Sequence, residues 1–221
     1  MKIEKLVQHW EPELPLLCCP KCEAEFTLES GQLRCQSGHC YDLSAKGYVN
    51  LAPNHDQKKE KYDAALFEAR SRIFADGFYR PVLDTVAGML TRRFGERSFT
   101  LADVGCGEGY YCAELARRFP SSAFFGVDLS RDGIQRAARN REACWMVADL
   151  KRLPFVPGGM DVVLDVLTPA DYQAFSSVLG ESGVLIKVIP GADYLKEIRD
   201  LFRERLLKPD YDNERVLRHL E

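Results

Sequence analysis

Between residues 99 and 207 the chain alternates between continuous apolar runs and amphipathic stretches. "FTLADV", "SAFFGVDLS", "ACWMVADL", "MDVVLDVLTP" and "SGVLIKVIPG" read as strands, and "YYCAELARRF", "RDGIQRAARN" and "ADYQAFSSVL" as the helices between them. Strands without a polar face need cover on both sides, and a helix between consecutive strands supplies it. The fold class expected is therefore α/β, with a parallel, doubly wound (Rossmann-like) sheet.

The first strand runs into Asp103-Val104-Gly105-Cys106-Gly107-Glu108-Gly109, a turn that lets backbone approach a ligand closely. A dinucleotide fingerprint has two residues between its last two glycines, whereas this loop has one, which disfavours a nicotinamide oxidoreductase. The acidic Asp103 opposes a pyrophosphate and suits a cationic ligand, such as the amino-acid end of S-adenosylmethionine. Asp128 closes the second strand, where a carboxylate can accept both ribose hydroxyls, and Ser130 then caps a helix. Asp149 closes the third strand, within reach of an adenine amino group.

Ahead of this domain, "LCCPKCEAEFTLESGQLRCQSGHC" holds five cysteines and a histidine. Cys19, Cys22, Cys35 and His39 offer three thiolates and an imidazole, the closed tetrahedral donor set of structural zinc. Cys18 and Cys40 each adjoin one of these and stand as alternative ligands. The intervening residues suit a hairpin turning at Glu29-Ser30-Gly31, so the unit expected is a small zinc ribbon.

The glycine loop with its strand-end acids resembles class I S-adenosylmethionine-dependent methyltransferases. "CPKC…CQSGH", "YDLSAKGYVNLAP", "ARSRIFADGFYRP" and "DVGCGEGYY" together resemble the RlmA/RrmA family of 23S ribosomal RNA guanine-N1 methyltransferases. That resemblance implies zinc on the ribbon and an RNA hairpin as partner. It also implies cofactor contacts from Tyr79, Gly105, Gly107, Glu108 and Asp128, to which the glycine loop as read above adds Gly109. Tyr194 stands where the family has a histidine after the fifth strand. Methylation at guanine N1 requires loss of a proton, for which Asp165 and the carbonyls around Thr168-Pro169, after the fourth strand, are the candidate acceptors. The rivals are a small-molecule methyltransferase and an inactive RNA-binding module.

The expected domains are a ribbon over 1–50, a linker with lid helices over 51–98, and a methyltransferase domain over 99–221. On the expected lid helix, Leu66, Ala69 and Ile73 share a face. Lys58, Lys59, Lys61, Arg70, Arg72 and Arg80 make this linker basic although the chain as a whole carries a net charge of −3. No apolar run reaches about 18 residues, so no membrane span is expected. Without a signal segment, and with reduced thiols, a cytoplasmic location is expected. Relative to the family the end reads as short, which would leave a sheet edge open to pairing in a homodimer.

Overall fold

The computed structural model describes residues 3–55, 64–206, 213 and 217; Lys58, Lys59 and Lys61 lie outside the described residues. The apolar runs become strands β5 (Thr100–Val104), β6 (Ala123–Asp128), β7 (Cys144–Val147), β8 (Met160–Val166) and β9 (Leu179–Val188). Helices α4 (Tyr110–Arg118), α5 (Arg131–Ala137) and α6 (Tyr172–Val178) connect them as the alternation requires. β7, β6, β5 and β8 are adjacent and parallel in that order, and β9 follows β8 in the sheet. The chain thus leaves β5 in one direction and later returns to add β8 on the other side. Such a switch point opens a crevice at the carboxyl ends of the strands.

Register is set at the opposite end. Thr100 donates its amide to the Asp161 carboxylate at 2.8 Å and its hydroxyl to the Gly159 carbonyl at 3.0 Å, pinning β5 to β8. Ser130 caps α5 by accepting the Gly133 amide at 3.2 Å, and Asp171 caps α6 by accepting that of Ala174 at 3.1 Å. These two caps satisfy donors that a helix start leaves orphaned.

The ribbon is a three-stranded antiparallel sheet, β1 (Phe26–Glu29), β2 (Gln32–Cys35) and β3 (Cys40–Asp42). Ser30 and Gly31 form its two-residue turn, both at positive φ (50° and 79°), the geometry that matches strand twist in a hairpin. The ribbon does not have a core of its own. Leu17, Cys19, Phe26, Leu33 and Tyr41 belong to one buried cluster with Val104, Phe125, Met146 and Phe155. Residues before the ribbon join the two: helix α1 (Ile3–Trp10) buries Leu6 and Trp10, and Leu17 bridges Phe155.

One strand had no counterpart in the sequence reading. β4 (Tyr48–Asn50) lies inside the stretch expected as ribbon, yet it pairs in parallel with β7 and forms the outer edge of the main sheet. Its three residues are too few to show a period, and its burial comes wholly from tertiary packing. Helices α2 (Ala64–Ala75) and α3 (Arg80–Phe94) follow, as the lid reading expects. The face of α2 turned inward differs from expectation. Phe67 is buried and Phe74 half-buried, while Leu66 is exposed and Ile73, though exposed, lines the same cavity as the two phenylalanines. The segment "AALFEARSRIFA" carries apolar residues on two overlapping stripes, and packing chose the aromatic one.

Met1–Ile186 form one compact unit and Lys187–Glu221 a second. In the second, α7 (Lys196–Leu201) is short and exposes Ile198 and Leu201. No helix among the described residues is long and apolar enough to cross a membrane.

Candidate cofactor cavity and metal centre

The metal-ligating atoms of Cys19, Cys22, Cys35 and His39 all lie within 4.8 Å of one another. His39 Nδ1 stands 3.5 Å from Cys19 Sγ and 3.4 Å from both Cys22 and Cys35 Sγ, and the Cys22 and Cys35 sulfurs are 3.6 Å apart. Zinc bonds of about 2.3 Å to sulfur and about 2.0 Å to nitrogen give tetrahedron edges of about 3.8 and 3.5 Å. The residues therefore fit zinc, with Nδ1 as the histidine donor. Two backbone knuckles shape the site. The amides of Cys22 and Glu23 donate to the Cys19 carbonyl, and that of Gly38 to the Cys35 carbonyl.

The structure decides between adjacent cysteines. Cys18 turns away and donates its thiol to the Phe155 carbonyl at 3.2 Å, and burial pushes that thiol up to about 11. Cys40 is exposed and outside the cluster. The Cys22 thiol is pulled down to about 6, chiefly by the Ser37 hydroxyl and the Ala24 amide, which favours the thiolate that a metal requires.

At the switch point lies a cavity of about 390 Å³, a size usual for cofactor sites. Gly105 and Gly107 form its floor and Asp128 one wall. The Asp128 carboxylate accepts the amides of Gly107 at 2.8 Å and Ser130 at 2.7 Å, so the acid holds the glycine loop in shape while facing the cavity. Gly105 (φ 73°) cannot be replaced without collision: a Cβ there would meet Thr168 Cγ2 at 2.4 Å. Phe67, Phe74, Tyr79 and Tyr111 supply aromatic walls, Leu129 and Leu150 apolar ones, and Arg70 is the cation among the lining residues. The residue set fits S-adenosylmethionine: an acid for the ribose, apolar walls for adenine and a cation for the carboxylate.

Of the residues expected from sequence, Tyr79, Gly105, Gly107 and Asp128 line this cavity. Several others do not reach it. Asp103 is buried beneath the loop, where it accepts the Cys112 amide at 3.2 Å. Desolvation raises its carboxyl to about 8, with the Cys112 amide opposing and the Asp128 and Asp165 charges reinforcing. Glu108 bonds Ser71 of α2 and Gly109 starts α4 in a left-handed conformation. Asp149 is exposed and caps its own turn by accepting the Lys151 amide at 3.0 Å. Asp165 is fully buried and accepts the Thr168 amide at 3.3 Å, so it faces the loop rather than the cavity. Tyr194 belongs to the second unit.

Phe67, Phe74, Tyr111 and Leu167 were missed by sequence reasoning. Leu167 carries a signal only in three dimensions: it lines the cavity at φ 58°, a left-handed conformation costing on the order of 1–3 kcal/mol for a non-glycine residue. Such strain concentrates at functional sites.

A glycine-floored cavity at the switch point of this sheet is the architecture of the class I methyltransferases that use S-adenosylmethionine. Residues 101–181 match the family described as methyltransferase domain, and residues 17–61 the one described as RlmA, N-terminal. YxjB of Bacillus subtilis (strain 168), provisionally named a 23S rRNA (guanine-N(1)-)-methyltransferase, is 38% identical over 88% of this chain and 71% of its own length. The 23S rRNA (guanine(748)-N(1))-methyltransferase of Streptomyces fradiae is 30% identical over 93% and 75%. A crystal structure from Methanococcus maripaludis, provisionally described as an S-adenosyl-L-methionine-dependent methyltransferase, shares the fold. Its TM-score is 0.56 at 16% identity, over 75% of this chain and 85% of that one. The chain belongs to the RlmA family of 23S rRNA guanine-N1 methyltransferases.

Proposed function

We propose that this protein methylates N1 of a guanine in a hairpin of 23S ribosomal RNA. The observation that carries the proposal is the shared core: the metal ribbon and the cofactor cavity are parts of one packed unit, as a substrate-reading module and its catalytic domain need to be. The cofactor supplies an activated methyl group on its sulfonium. This chain's residues position it. Asp128 holds the ribose, Leu129 and Leu150 flank adenine, and Arg70 pairs with the carboxylate. Phe74 and Tyr79, in ring contact at 5.3 Å, close the cavity from the lid.

The target base must leave its stack to reach the methyl group, and positioning then supplies most of the rate. In this reading the base enters along Val166–Pro169, whose shape depends on the bond that the Thr168 amide donates to the Asp165 carboxylate. Asp165 then serves as a positioning residue and not as the proton acceptor. Asp103, Glu108, Gly109 and Asp149 shape the loops around the cavity in the same indirect way. A cytoplasmic location goes with a ribosomal RNA substrate, and β9, last in the strand order, is the edge through which two copies would pair. Incubation with labelled S-adenosylmethionine and undermethylated 23S rRNA should place label on one guanine N1. Label on another position, or on no RNA at all, would reject the assignment.

A further inference from the structure

Two shallow grooves meet at Arg136 and Arg139, and one of them runs along the side of α2 that carries Glu68, Ser71 and Arg72. One, of about 390 Å³, is lined by Lys46, Arg136, Arg139 and Arg141 with Asp132 and Gln135. The other, of about 510 Å³, is lined by Arg72, Arg136 and Arg139 with Glu68 and Ser71. Because Arg136 and Arg139 line both, the grooves join into one track. Its five cations against two acids give a local charge of about +3 on a chain whose net charge is −3.

Several of these cations are held in place by neutral groups. Lys46 Nζ donates to the Gln135 side-chain oxygen at 2.8 Å, and Arg141 Nη1 to the Lys46 carbonyl at 2.9 Å. Arg141 lies across Gly47 (φ 96°), where a Cβ would meet its guanidinium at 1.8 Å, so the bare glycine is what lets the arginine cross the loop. Arg136 stacks on the ring of Phe67 at 5.5 Å, the same ring whose other surroundings form the cofactor cavity. A cation positioned by a carbonyl or an amide, as Arg141 and Lys46 are, keeps its charge for an external anion, which a cation in a salt bridge does not. Four of the five are arginines, whose forked donors match phosphate oxygens bidentately.

We propose that this track, from Lys46 and Arg141 across Arg139 and Arg136 to Arg72, binds consecutive phosphates of an RNA strand beside the lid helix. The inference rests on the RNA-methylating reading and names the surface that would hold the substrate's backbone. A track formed by three segments distant in sequence fits a chain of phosphates better than one isolated anion. Its acids, Asp132 and Glu68, sit within it and set its limits.

The test is fluorescence anisotropy with a labelled generic RNA hairpin across a salt series. Each lost phosphate contact should flatten the slope of log affinity against log salt by about 0.7–0.9, which at 0.1 M salt is about 5- to 8-fold in affinity. Arg139→Gln with Arg141→Gln should therefore weaken binding about 25- to 60-fold and flatten the slope by about 1.4–1.8. Arg92→Gln, on α3, is the control and should change little. Calorimetry with S-adenosylhomocysteine verifies that the variants keep their fold. If Arg141→Gln disturbs the Gly47 contact, Arg72→Gln with Arg139→Gln, both exposed, carries the same expectation. Groove variants within twofold of wild type at unchanged slope would overturn the proposal. So would an equal loss in the Arg92 control, or full competition by polyglutamate at matched ionic strength, which would mark an acidic protein as the partner. The readout does not depend on methylation. Wild type that methylates RNA while the variants bind normally sinks only the track, and track-dependent binding without methylation sinks only the enzymatic reading.

Discussion

Asp103 is the buried carboxyl whose environment gives the most direct test of this architecture. Its carboxyl is raised to about 8 in the folded protein, first by desolvation, against about 3.9 in an unfolded chain. Between those values the folded state keeps a proton that the unfolded chain releases. Stability from this group is thus fully present below about pH 4 and is lost as pH rises toward 8. The slope is about 1.36 kcal/mol per pH unit, or about 2.7 kcal/mol between pH 5 and pH 7. Asp103→Asn keeps an acceptor for the Cys112 amide and removes the titration. Other ionisable groups are common to both proteins and cancel in the difference. Thermal unfolding of the two proteins at pH 5, 6, 7 and 8 should show the asparagine variant gaining on wild type with each step. At about 2–4 °C per kcal/mol for a chain of this size, the gain from pH 5 to 7 is about 5–11 °C. Parallel pH profiles for the two proteins would refute the reasoning, since they would mean that Asp103 titrates alike folded and unfolded.

The metal should count one zinc per chain, and its removal by chelation or Cys35→Ser should lower a single unfolding transition; two transitions, the upper one unmoved, would separate the ribbon from the shared core. Gly105→Ala should weaken S-adenosylhomocysteine more than tenfold by calorimetry, because the new Cβ collides with Thr168; retained affinity would reject the close approach. Arg70→Met should cost S-adenosylhomocysteine about tenfold, on the order of one charge-assisted hydrogen bond, and leave methylthioadenosine, which lacks the carboxylate, unaffected. Equal losses for both ligands would show that Arg70 merely packs.

What was legible in the sequence was local. Ligand spacing in Cys19–Cys22 and Cys35–His39 is set by the knuckle turns themselves, and the glycine loop between β5 and α4 is set by close approach, so both read directly. Strand ends were legible too, but not which way their acids turn. Asp128 faces the cavity because the amides of Gly107 and Ser130 hold it there, whereas Asp149 and Asp165 spend their carboxylates on their own turns. The preference of Cys19 over Cys18 reads from the turn but is fixed only by the Phe155 carbonyl, 137 residues away. The inward face of α2 and the pairing of β4 with β7 belong to the same class: each was chosen by a partner that the local pattern does not contain.

That pairing has a consequence for how the chain is made. The knuckles and hairpin of the ribbon are complete once residue 43 has been synthesised, so metal can be captured early. Tyr48–Asn50, by contrast, waits for Val147, 97 residues later. At about 5–20 residues per second the wait is roughly 5–20 s, during which the strand has only its bridge to Leu43 and the apolar face of the ribbon lacks the sheet it packs on. A zinc ion bound in that interval stands guard over a half-built molecule, tying residues 19 to 39 together until the sheet arrives to receive them.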